Sequence, residues 1–192
     1  MAIYFFEDIT AAQALSYTPS DVLVFTTPGL TASQVSVSFI PFTATTPDFI
    51  TLGAPFKAVT FNDPGGFRGE TDATFSDGSL LYAGTTGNDN QSGTAGRDGL
   101  YGGAGNDTLQ GVGGADVLQG NQGDDSLNGG SGDDVIYGGR DNDTIDLGGA
   151  TSSAVIQFAQ GNLGDDSITG STNADLIRGG QGNDTIVGFG GN

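Results

Sequence analysis

From Gly84 onward the chain repeats itself every nine residues. Set in register, "GTTGNDNQS", "GTAGRDGLY", "GGAGNDTLQ", "GVGGADVLQ", "GNQGDDSLN", "GGSGDDVIY" and "GGRDNDTID" run through Asp146. After an interruption, Leu147–Gln160, come "GNLGDDSIT", "GSTNADLIR" and "GGQGNDTIV", then the fragment "GFGGN". In the ten complete repeats, position one is always glycine and position six always aspartate. Position eight is aliphatic in nine of ten, Gln91 being the exception, and position four is glycine except at Asp141 and Asn173. Such a period defines the unit of the fold before any local motif does. Glycines in the first half of each unit let the backbone turn sharply with its carbonyls pointing inward. The second half supplies a short strand whose one aliphatic points into a core. A disordered glycine-rich linker fits the composition but not such strict columns.

Composition narrows the partners. With 23 acids against 5 bases the 192-residue chain carries a formal charge of −18, which repels nucleic acid and anionic lipid and favours cations. There is no cysteine and no histidine, so disulfides, thiolate sites, the commonest general base and the commonest transition-metal ligand are all missing. An H-E-x-x-H zinc site and a Ser-His-Asp triad are therefore excluded. No EF-hand loop fits "NDNQSG" (88–93), because the closing glutamate is lacking. No stretch approaches the roughly 18 apolar residues of a membrane span, and "MAIYFFEDIT" lacks the basic start and apolar core of a signal peptide.

Over residues 84–192 the chain resembles the RTX family of nonapeptide calcium repeats. Two units complete one coil of a right-handed parallel β-roll, so like turns stack at every second unit, about 4.8 Å apart. Stacked aspartates repel unless a cation lies between them. Calcium suits that slot, since it takes six to eight hard oxygens in flexible geometry, whereas magnesium demands a tight octahedron. The stacking places Asp89, Asp107, Asp125 and Asp143 on one edge and Asp98, Asp116 and Asp134 on the other; Asp166 faces Asp184, and Asp175 completes the candidate set. If Leu147–Gln160 fills a single slot, Asp143 falls beside Asp166, and the roll continues through a bulge that carries Val155, Ile156 and Phe158 but no column aspartate. About six or more calcium ions are expected. The resemblance implies that each ion takes an aspartate and turn carbonyls from both flanking repeats. The backbone ligands are then drawn from Gly84, Gly87, Gly93, Gly96, Gly102, Gly103, Gly105, Gly111, Gly114 and Gly120, and further along from Gly123, Gly129, Gly130, Gly132, Gly138, Gly161, Gly164, Gly179 and Gly182. Asp124, Asp133, Asp141, Asp146 and Asp165 are expected to face solvent, and Gln91 to mark a first coil capped by what precedes it.

Residues 1–83 are of another kind. They hold 10 of the 12 phenylalanines but only 6 of the 35 glycines, and predict a small β-sandwich-like domain, making the whole chain all-β. Strands are expected in "DVLVFTT", "QVSVSFI", "DFITL" and "FKAVTF", with a hairpin of "ATF" and "SLLY" about Ser76-Asp77-Gly78. A short helix over 11–16 is favoured by a capping box of Thr10 and Gln13. The scattered acids here form no catalytic constellation.

One aliphatic per unit is too little core to offset the ordering of glycine-rich chain, so the roll is expected to fold only on binding calcium. The family resemblance implies type I secretion without an N-terminal signal peptide, and hence an extracellular or cell-surface, non-enzymatic protein. The leading reading is a surface-layer or matrix-like structural module whose front domain contacts other copies, neighbouring surface proteins or glycans. The alternative is the non-catalytic front of a larger exoenzyme or adhesin. "GFGGN" stops one residue before the register calls for an aspartate, so the chain is expected to continue or to stack end to end.

Overall fold

The computed structural model describes residues 2–14, 22–40, 49–55, 57–62, 73–149 and 156–189. Up to Ala83 the strands are β1 (Ile3–Phe5), β2 (Val22–Phe25), β3 (Ser36–Ile40), β4 (Phe49–Ala54), β5 (Lys57–Asn62), β6 (Ala73–Phe75) and β7 (Leu80–Ala83). The repeats add β8 (Asn90–Ser92), β9 (Gly99–Ala104), β10 (Thr108–Gln110), β11 (Gly113–Gly114), β12 (Val117–Gln122), β13 (Ser126–Asn128) and β14 (Ser131–Gly132). There follow β15 (Val135–Arg140), β16 (Thr144–Asp146), β17 (Gln157–Leu163), β18 (Ser167–Thr169), β19 (Asp175–Gln181) and β20 (Thr185–Val187).

Successive repeats alternate between two parallel sheets. One contains β7-β9-β12-β15-β17-β19 and the other β20-β18-β16-β13-β10-β8. The register follows the period: Leu109 pairs with Leu127 and Leu118 with Ile136, each two repeats further on. Position eight therefore forms two facing stacks between the sheets, in which Leu100, Leu109, Leu118, Leu127, Ile136, Ile145 and Ile168 are all buried. No single coil could bury its pair of aliphatics alone; each is covered only by its neighbours.

The interruption stays in this stack. Ser131 bridges to Gly149, Val135 pairs with Phe158 and Thr144 with Ser167. Bonded column aspartates are regularly 18 apart in sequence, as Asp125 and Asp143 are, but Asp143 and Asp166 are 23 apart. The difference, five, enters between the Ser131–Gly149 bridge and the Val135–Phe158 pair. The core position falls to Ala159, which is fully buried, while Ile156 is 62% exposed and Phe158 lies half-buried on the outer face. Val155 lies outside the described residues.

The first 83 residues join the same architecture. β6 and β7 form the expected antiparallel hairpin, with Gly78 left-handed at φ 79°. β7 then pairs parallel with β9, so the longer sheet runs on into β6, β2 and β1, a strand not foreseen in the sequence. The antiparallel sheet β3-β4-β5 shares its core with that sheet through Leu23, Phe25, Val37, Leu52, Phe75 and Leu81. The helix α1 (Ala11–Ala14) has its capping box, Thr10 N–H donating to Gln13 Oε1 at 2.9 Å and Gln13 N–H to Thr10 Oγ1 at 3.3 Å. Leu15 and Ser16 lie outside the described residues. The predicted second strand instead starts in a 3-10 turn, Ala32–Gln34, capped by Thr31. Tyr101 ties the two parts together: its hydroxyl donates to Val35 O at 2.7 Å, and burial pushes its pKa up to about 12. The N-terminal strands extend the long sheet only. Tyr82 covers Leu100, whereas β8 is the outer strand of the short sheet and Gln91 stays partly exposed, its amide turned onto Ser92 O at 2.7 Å.

Candidate metal centre

Each repeat turn ends in its aspartate immediately before the strand, so the stacking of strands stacks the carboxylates. Along one edge each aspartate takes a backbone proton from the turn before it. Asp89 N–H donates to Asp107 Oδ1 at 2.9 Å, Asp107 to Asp125 at 2.8 Å and Asp125 to Asp143 at 3.0 Å. Asp143 donates to Asp166 at 2.9 Å across the interruption, and Asp166 to Asp184 at 3.0 Å. On the other edge Asp98 donates to Asp116 at 2.8 Å and Asp116 to Asp134 at 2.9 Å, while Leu80 N–H caps Asp98 at 2.6 Å.

That bond uses one carboxylate oxygen. The other, Oδ2 of Asp107, Asp116, Asp125, Asp134, Asp143 and Asp166, is buried without a hydrogen-bond partner. A bare buried carboxylate oxygen is costly, and the side chains respond as acids. Burial pushes Asp107 and Asp134 up to about 6, Asp125 to about 7 and Asp116 and Asp143 to about 8; the backbone proton from the neighbouring turn pulls each part of the way back. Nearby carboxylates push further, as Asp107 does on Asp125 and Asp125 on Asp143. Asp166 is raised for the same reason.

The backbone completes the surroundings. In the regular turns positions two and four are both left-handed, as at Asn121 (φ 83°) and Gly123 (φ 112°), or Asn162 (φ 84°) and Gly164 (φ 135°). Carbonyls of successive residues then face alternate neighbours. Those of position one point back: a Cβ on Gly102 would meet Gly120 O at 2.9 Å and one on Gly120 would meet Gly138 O at 2.7 Å. Those of positions two and four point forward, as Val112 O does at 2.5 Å from a Cβ built on Gly130, and Gly87 O at 2.7 Å from one on Gly105. Among the described residues no three acidic side chains meet at one point. The intervals are instead bordered by stacked column aspartates and by carbonyls of both turns, an all-oxygen set with no nitrogen or sulfur. A hard divalent ion that accepts irregular, many-oxygen coordination fits it, and calcium is that ion.

Several acids outside the column are not idle. Position five forms a second ladder in the opposite sense. Asn106 N–H donates to Asn88 Oδ1 at 2.9 Å, Asp124 to Asn106 at 3.2 Å, Asn142 to Asp124 at 2.8 Å, Asp165 to Asn142 at 2.8 Å and Asn183 to Asp165 at 2.7 Å. Asp124 and Asp165 are exposed as expected, yet each holds the next turn. Asp141 accepts Gly123 N–H at 3.2 Å, and Asp146 accepts Gly148 N–H at 2.9 Å. Asp133 departs from the expectation of a solvated charge: its Oδ1 is buried without a partner, beside a cavity it lines with Arg97, Gly114 and Ala115. Small neighbours at 114 and 115 leave that space, a cue visible in the sequence only once the stacking is known.

The RTX calcium-binding nonapeptide repeat matches residues 83–118, 110–145 and 160–192, together half of the chain. The chain belongs to that family. No curated protein and no solved structure gives a significant match. The RTX match stops at 145 and resumes at 160, leaving out the stretch where the coil step lengthens. An RTX repeat is a calcium-binding structural element, not a catalytic one, and no described helix is long and apolar enough to cross a membrane.

Proposed function

We propose that this RTX chain is a structural module of an exported protein, whose roll stays unfolded at cytosolic calcium and folds on meeting external calcium. The column aspartates and the turn carbonyls of the flanking glycines are its ligands, and it does no catalysis. One observation carries the reading: a run of buried aspartates whose second oxygens have no partner in the chain. The folded roll is incomplete without cations beside these oxygens, so binding free energy becomes folding free energy. Calcium in the interval supplies the positive charge; the chain supplies stacked carboxylates, fixed by the neighbouring turn's N–H, and carbonyls already aimed at the gap. In a surface-layer or matrix-like assembly the docking end is β1, the edge of the long sheet, where Ile3 is 59% and Phe5 46% exposed.

The test is a calcium titration of the whole chain at neutral pH, followed by far-UV circular dichroism. The transition is expected at about 0.1–1 mM, the range of extracellular modules. Magnesium at the same concentration is expected to do far less. A midpoint below roughly 1 µM, within the range of intracellular sensors and buffers, would contradict the proposal, because the roll would then fold before export.

A further inference from the structure

Three of the ten turns are built differently. In those that begin at Gly84, Gly93 and Gly170, neither position two nor position four is left-handed. Position two is there Thr85, Thr94 or Ser171, and its N–H turns inward onto the turn's own aspartate, reaching Oδ2 of Asp89 at 2.6 Å, of Asp98 at 2.6 Å and of Asp175 at 2.7 Å. The hydroxyl donates to the same carboxylate, at 3.1, 3.0 and 2.8 Å. It also accepts the N–H of position four, from Gly87 at 3.1 Å, Gly96 at 2.9 Å and Asn173 at 3.1 Å. The oxygen left bare in the regular turns is therefore satisfied here by the chain itself.

These turns share a place in the stack. Each stands where no regular aspartate turn precedes it in its column; the aspartates of the first two, Asp89 and Asp98, open the two runs. Before Gly93 stands the β6–β7 hairpin. Before Gly170 stands the interrupted turn, in which the aspartate position holds Gln157. The register fixes that position: Gln157 pairs with Asp175, and Phe158 N–H donates to Asp134 O at 3.0 Å as Val135 N–H does to Asp116 O at 2.9 Å. Gln157 is fully buried; its Nε2 donates to Gly132 O at 2.7 Å, while its Oε1 is buried without a partner. Gly132 is a position-four residue, one of the class of carbonyls that faces the following turn. A carboxamide N–H placed there offers a carbonyl the positive end of a dipole where a cation otherwise sits, and brings no negative charge to bind one.

We infer that Gln157 and the hydroxyls of Thr85 and Thr94 terminate the calcium columns, Gln157 filling the interval after Asp134 in place of an ion, while Ser171 takes up the Asp175 carboxylate so that the next interval needs none. This rests on the calcium reading above and adds a stoichiometry to it. Five intervals in the long column and two in the short one hold ions, seven in all, and the two flanking Gln157 hold none.

The experiment counts calcium bound to the intact chain, by native mass spectrometry and by metal analysis after dialysis into millimolar calcium, with circular dichroism on each sample. Gln157→Asp is expected to bind one ion more than the wild type, because it restores a carboxylate to an interval already lined by carbonyls. Gln157→Ala is expected to bind as many as the wild type. A folded Gln157→Asp variant with an unchanged count overturns the inference. So does the loss of an ion in Gln157→Ala, which would make the Gln157 side-chain oxygen a ligand, and that result stands even if the aspartate variant fails to fold. A wild type that binds no calcium would defeat the proposed function itself, a distinguishable outcome.

Discussion

Asp124 and Asp125 are adjacent acids with opposite duties. Asp125 faces inward, bonded to the Asp107 N–H and donating to Asp143, so it borders two intervals. Asp124 faces solvent and receives the Asn142 N–H at 2.8 Å. Asp125→Asn is expected to remove about two bound ions and to raise the calcium needed for folding. Asp124→Ala is expected to leave the ion count unchanged while costing the calcium-loaded roll about 1 kcal/mol for one lost hydrogen bond. Calcium counting and thermal melts of both variants check this, and equal effects would mean that the ligand register is displaced by one residue. Val112 offers a second test. It is β-branched, 44% exposed and held left-handed at φ 78°, a conformation such a residue adopts only under strain. Val112→Asn should relieve on the order of 1 kcal/mol and raise the melting temperature in calcium; a lower one would show that the Val112 side chain contributes more than its backbone costs.

A column of turns behaves as a unit because its acids share one environment. Their folded pKa values are raised, to between about 6 and about 8 for the five that carry values. In the absence of metal the folded roll therefore holds more protons than the unfolded chain, and its stability falls as pH rises. The favourable contribution is fully present below the ordinary aspartate pKa of about 4 and is lost as pH climbs through 6 to 8. Metal-free protein should thus show more β-structure at pH 5 than at pH 8, and calcium binding at pH 7 should release protons. A chelator-treated sample whose circular dichroism does not change over that range would be inconsistent with buried, bare carboxylates. The columns themselves were legible in the sequence, because a nine-residue period with invariant first and sixth positions leaves one way to stack. The rest was not, for local reasons. Position two carries Gly, Val, Asn, Thr or Ser, so its conformational role is hidden from a column count, and only the hydrogen bonds of Thr85, Thr94 and Ser171 separate them from Val112 and Asn121. Gln157 was hidden because the lengthened turn breaks the alignment. "IYF" is too short to announce β1, and its pairing partner β2 lies on the far side of α1 in the chain.

At the scale of the molecule, two kinds of packing share one sheet. The N-terminal part has an ordinary core: Phe6, Phe25 and Phe75 stack with ring centroids 4.5 and 4.3 Å apart, and Lys57 is held by the carbonyls of Phe6, Glu7 and Ile9 at 2.8–3.0 Å. The roll has one aliphatic per repeat, a hydrogen-bonded outer ladder and buried charge that the chain itself leaves unpaired. On the proposed function, cations complete the second part, whereas the first stands on its own side chains. Hydrogen exchange on the whole chain, read peptide by peptide with and without calcium, tests this most directly. Slow exchange is expected from about Thr108 to Thr169 in millimolar calcium and fast exchange of the same peptides in excess chelator at pH 8, while the Phe25 and Phe75 strands keep their protection. Equal protection of the repeats in calcium and in chelator would contradict it.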